Sequence, residues 1–94
     1  MTVRLVDPTI PPPGGGKPLA ARLATLEGAT LGLVNNGKTW GREILERISS
    51  NLSAQHGTAG AIAVTKEYVS FPAAPADVER LTAGATAIIA AIGD

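Results

Sequence analysis

Three short apolar runs constrain this chain more than anything else in it. They are ATLGLV at residues 29–34, AGAIAVT at 59–65 and the stretch from Thr86 to Ile92. None carries a charge, and none alternates between polar and apolar. A strand with one wet face alternates; a strand covered on both faces does not. Strands of the second kind belong to parallel sheets flanked by helices. Between the runs lie two segments with helical marks. The chain therefore reads strand, helix, strand, helix, strand. The expected fold class is α/β, a Rossmann-like three-layer arrangement with a short parallel β-α-β-α-β sheet.

The first helical segment covers residues 39–55. Ile44, Leu45, Ile48 and Leu52 line one face, and Arg42–Glu46 and Glu43–Arg47 pair at i, i+4 on the other. Thr39 is the expected N-cap and Gly57 the expected stop. The second runs from Pro75 to Gly84, with Pro at its start and Asp77 and Glu79 in its first turns. Ahead of the first strand, LAARLATLEG at residues 19–28 places Leu19, Leu23 and Leu26 at i, i+4 and i+7. That spacing predicts a third, short helix stopped by Gly28. The loop KEYVSFPAAP carries a possible strand extension through Tyr68–Phe71.

Residues 1–18 read as an extended arm. VRLV suits a short strand, Asp7-Pro8-Thr9 starts a turn, and PPPGGGKP is a linker or a surface-hugging extension. Residues 19–94 are then the α/β domain, either incomplete or one subunit of a larger unit. Its core is thin. The chain has 94 residues and is 45% hydrophobic, but 16 residues are Ala and only Trp40, Tyr68 and Phe71 are aromatic. Charged residues make up 17%, low for a small soluble monomer, so a homo- or hetero-oligomer is expected.

Eight basic residues balance eight acidic ones. A zero net charge argues against general nucleic-acid binding, which needs a positive surface to displace counterions. The absence of Cys rules out a disulfide framework, a thiolate metal site and a cysteine nucleophile within these residues. The opening MTVRLVDPTI has neither the apolar run nor the cleavage site of a signal peptide. The apolar stretch 81–93 is too short to span a bilayer. The expectation is a cytoplasmic protein with no membrane partner.

One formal motif match carries chemistry. Residues 32–39, GLVNNGKT, fit G-x-x-x-x-G-K-[ST]. In a phosphate loop, backbone amides cradle phosphates, Lys38 reaches the outer ones and Thr39 binds Mg²⁺. Gly32 lies inside the apolar run, however, so the competing reading is a tight Asn-Asn-Gly turn with Lys38 on the rim. Either way the loop leaves a strand's carboxyl end for a helix N-terminus, where free amides and the helix dipole favour anions and polar ligands. Asn35, Asn36, Gly37, Lys38 and Thr39 are the candidate ligand-binding residues. Trp40 reads as core or as a partner contact. Lys66, Glu67 and Tyr68 share the same sheet edge and read as ordinary loop residues. His56 suits the end of its helix. No nucleophile–base pair, metal-ligand cluster or carboxylate pair is present, so no catalytic residue and no metal site is assigned, and the cofactor is left open.

Three blocks carry a resemblance: VRLVDPT near the start, LEGATLGLVNNGK at residues 26–38, and ATAIIAAIGD at the end. They resemble the N-terminal part of the UGSC family of selenoproteins and their cysteine homologues. In that family a selenocysteine or cysteine followed by Gly-Ser-Cys comes immediately after the Gly-Asp that Gly93-Asp94 matches. The resemblance implies thiol or selenol redox or nucleophile chemistry on a small-molecule substrate, with Asp94 abutting the reactive residue. That residue lies outside this chain. Three readings of the ending stay open: a selenocysteine codon read as a stop, a small subunit whose partner chain carries the reactive Cys, and a cleaved or stand-alone binding module. Two functional alternatives also stay open, a phosphate-loop-like nucleotide binder and a non-catalytic subunit that completes a partner's sheet.

Overall fold

A computed structural model describes residues 1–93; Asp94 lies outside the described residues. Strand β1 (Thr30–Asn35) is followed by helix α1 (Gly41–His56), strand β2 (Gly60–Thr65), helix α2 (Pro75–Gly84) and strand β3 (Ala87–Ala91). All strand pairing is parallel, in the order β2-β1-β3. The fold is α/β. The apolar runs become the strands because they place β-branched and small side chains on both faces of a pleated sheet.

Register fixes which residues share a face. Leu31 and Leu33 lie level with Ala61 and Ala63 on β2 and with Ala87 and Ile89 on β3. On the opposite face Gly32 lies level with Ile62 and Ile88. The first face receives α1: Leu31, Leu33 and Leu45 form the buried cluster, with Leu52, Ile89 and Ala91 against it. The second face receives α2. A β-carbon at Gly32 would stand 2.8 Å from Leu81 Cδ2 and 3.1 Å from Ala85 Cβ, so glycine is what lets α2 approach. The two helices thus cover opposite faces, as expected when the chain moves from β1 to β2 and then back past β1 to β3. Helix α2 packs on β2 and β1, leaving Ile88 exposed on β3's part of that face.

Helix α2 has the bounds that its proline and glycine mark. Helix α1 ends where expected: Gly57 adopts φ 70° and its N–H donates to Ser53 O at 3.0 Å. Its start differs. Trp40, not Thr39, holds the N-cap position, and its side chain makes no capping hydrogen bond. Ile44 is exposed rather than packed, and Arg42 reaches Glu43 at 3.6 Å rather than Glu46.

The helix expected over 19–28 does not form; these residues run as irregular chain. Ten residues are too few to hold a helix without tertiary support. That support is missing, because Leu19 and Leu23 face solvent and only Leu26 is half-buried. Gly28, at φ 73°, turns the chain into β1 and donates to Gly57 O at 2.9 Å. Neither VRLV nor Tyr68–Phe71 forms a strand. Tyr68 and Phe71 instead meet edge to face, with ring centroids 5.2 Å apart. Residues 1–25 are exposed throughout, and they stretch the molecule to 62 × 31 × 26 Å. Within this arm the Asp7-Pro8-Thr9 turn is present. Asp7 Oδ1 accepts from Thr9 Oγ1 at 2.6 Å and from Thr9 N at 2.9 Å. These two bonds, the hydroxyl's first, hold the Asp7 carboxyl below its ordinary pKa.

Candidate functional site

Parallel strands end on one edge. Here that edge gathers Asn35 and the loop after β1, Lys66 after β2, and Ile92-Gly93 after β3. Asn36 ties the three together. Its backbone N–H donates to Ala91 O at 2.7 Å, continuing the β1–β3 ladder by one step. Its side chain then bridges the ends: Nδ2 donates to Ile92 O at 3.1 Å, and Oδ1 accepts from Lys66 Nζ at 2.7 Å. The amide has one orientation only, because an ammonium can only donate and a carbonyl can only accept. Lys66 Nζ also donates to Val69 O at 2.9 Å, and Lys66 N donates to Asn35 O at 2.9 Å. Lys66, expected on this edge but as an ordinary loop residue, instead ties the loop after β1 to Val69 through its ammonium. Its position directly after an apolar run was the available signal.

The two asparagines do different work. Asn36 lines a cleft of about 250 Å³ with Val34, Lys66, Ala90, Ile92 and Gly93. Asn35 has the α1-side register. Its Oδ1 accepts the Gly37 N–H at 2.9 Å, closing the turn that Gly37 makes at φ 90°. The same oxygen lies 2.6 Å from where a β-carbon on Gly41 would be. Asn35 thus props the start of α1, while Asn36 faces the cleft. Lys38 is half-buried, and its carbonyl accepts the Gly41 N–H at 3.1 Å. Thr39 is exposed.

Trp40 is not core: it is 68% exposed. It sits at φ 68°, ψ 0°, in the left-handed region. For a bulky L-residue that conformation costs about 1–2 kcal/mol, and strain of this kind clusters at functional sites.

The phosphate-loop match does not become a phosphate cradle. Residues 32–35 belong to the central strand, where β2 and β3 flank them on both sides. A cradle needs those amides turned toward a ligand. Gly32 is buried, with Leu81 of α2 directly over it. Among the described residues, no group of three or more His, Cys, Asp or Glu is arranged to hold a metal ion. No described helix is long and apolar enough to cross a membrane.

The sequence profile of the UGSC family matches residues 4–94. The chain belongs to the UGSC family. The match takes in the exposed arm from Arg4 onward as well as the sheet and both helices, so the UGSC profile spans both. No curated protein and no solved structure matches the chain.

Proposed function

We propose that the carboxyl edge of this sheet is one wall of a thiol- or selenol-dependent site with redox or nucleophile chemistry. In this reading the chain is the N-terminal portion or small subunit of a UGSC-type protein on a Rossmann-like frame. The reactive Sec or Cys follows Gly93-Asp94 in the family's pattern. One observation supports the reading above the others: the Asn36 bridge to Ala91 O and Ile92 O brings the loop 36–40 against the end of β3. In doubly wound folds, ligands bind outside the carboxyl ends of the strands, where the strand order reverses. The order β2-β1-β3 reverses between β1 and β3.

A cationic neighbour favours the charged form of a thiol or selenol. Lys38 is the assigned cation. In the chain carrying Cys-Gly-Ser-Cys after Asp94, the first cysteine should titrate about one unit or more below the ordinary thiol value. Lys38→Met should return it toward that value. The measurement is the iodoacetamide alkylation rate against pH, resolved by site with mass spectrometry. Superimposable profiles for the two proteins, both matching a free thiol, remove Lys38 from the site.

A second reading, an interaction subunit, is favoured by the apolar side chains in the open. Val3, Leu5, Val6 and Ile10 of the arm and Ile88 of β3 all face solvent. The isolated chain should self-associate at micromolar concentration in sedimentation velocity. A sharply melting monomer overturns that reading.

A further inference from the structure

The cleft beside Asn36 contains one cation and no carboxylate among its described lining residues. Val34, Ala90, Ala91 and Ile92 form its apolar walls, and the Asn36 amide and the Lys66 ammonium supply its polar groups. Lys66 is half-buried. An ammonium carries three N–H donors and no acceptor. Among the described residues two donors go to Asn36 Oδ1 and Val69 O, leaving one. Both acceptors are neutral oxygens, so they fix the position of the charge without cancelling it. A cation held in place beside an apolar wall is a pre-organised partner for an anion, since little freedom is left to lose on binding.

We infer that this cleft binds a small monocarboxylate with a short apolar tail. The carboxylate accepts the remaining N–H of Lys66, and the tail lies against Val34, Ala90 and Ile92. The size of the tail follows from the space: about 250 Å³ lies below the roughly 300–1,000 Å³ typical of larger ligands. The single charge follows from the described lining residues, which offer one cation; a phosphate dianion or a dicarboxylate brings a second charge that these residues do not answer. Asn36 acts here as a positioning residue, because its orientation fixes where Lys66 Nζ stands.

This inference does not depend on the chalcogen reading, and its test uses the 94-residue chain with no cysteine added. The probes are butyrate and its neutral isostere butyramide, followed by calorimetry and by saturation transfer to the ligand's methyl and methylene protons. Charge-assisted hydrogen bonds are about twice as strong as neutral ones, so butyrate should bind at least about tenfold more tightly than butyramide. Lys66→Gln keeps an N–H donor for Asn36 but loses the charge. It should weaken butyrate binding by about tenfold or more. Lys17→Met, which removes a charge from the exposed arm, should leave butyrate binding unchanged. Equal affinity for butyrate and butyramide overturns the inference, as does undiminished butyrate binding to a folded Lys66→Gln protein. If that variant does not fold, the comparison of the two ligands on the wild-type chain still decides. Inorganic phosphate displacing butyrate at equal concentration overturns the monocarboxylate assignment, and no detectable butyrate binding overturns the site itself.

Discussion

Leu31→Ala should lower the melting temperature by roughly 10–25 °C, while Leu19→Ala should leave it within about 4 °C. Both changes remove the same atoms from the same residue type. Leu31 is 1% exposed in the middle of the sheet, in contact with Leu33 and Leu45. Its truncation leaves a cavity that costs about 2–5 kcal/mol. A chain of this length has only about 5–14 kcal/mol of stability at the usual value per residue. The core here is small, with Ala opposite each core leucine of β1 on β2, so little can move in to fill the gap. Leu19 is 87% exposed in the arm, and its truncation removes no packing. Circular dichroism melts of the two variants test the contrast. A loss for Leu19→Ala equal to that for Leu31→Ala would mean that residues 19–26 are packed, and would reinstate the helix their leucine spacing predicts.

That leucine stripe shows where reading the sequence stops being sufficient. Periodicity reports that a helix would have an apolar face; it does not report whether a surface exists to receive it. Helix α1 and the segment 19–28 carry similar stripes. Only α1 has a sheet face opposite, formed by Leu31, Leu33 and Ile89. The strands were legible because an uncharged run between two helical segments has few other places to go. Helix α2 was legible from Pro75 and Gly84, whose backbone constraints are local. The edge was only half legible. Parallel pairing alone brings Asn36, Lys66 and Gly93 to one side. The Lys66–Asn36–Ile92 chain of hydrogen bonds, however, depends on side-chain reach across 30 and 56 residues of sequence. No local spacing encodes that. The left-handed Trp40 was likewise invisible, since nothing in GKTWG marks a tryptophan for a conformation that glycine ordinarily takes.

Gly41→Ala should destabilise the protein by about 1–3 kcal/mol, against the usual direction for such a change. Alanine normally strengthens a helix over glycine by about 1 kcal/mol, and Gly41 is the first residue of α1. Here the added methyl would stand 2.6 Å from Asn35 Oδ1 and 3.8 Å from Ala91 O. The Asn35 side chain cannot swing away freely, because that oxygen accepts the Gly37 N–H at 2.9 Å and closes the loop. Either this bond breaks or the start of α1 moves off the sheet. A double-mutant cycle separates the collision from any generic effect at the helix start. In an Asn35→Ala background the oxygen is gone, so Gly41→Ala should become neutral or stabilising. The two variants should therefore couple by more than about 1 kcal/mol in thermal or urea unfolding. Additive effects would show that Asn35 does not prop the helix. The same proteins report on the edge. If loop and helix start form one unit, Gly41→Ala alone should increase hydrogen exchange at the Gly37 amide, whose acceptor is displaced, and leave the Val64 amide in β2 unchanged. Equal loss of protection at both positions would mean that the variant loosens the whole sheet rather than the turn beside the cleft.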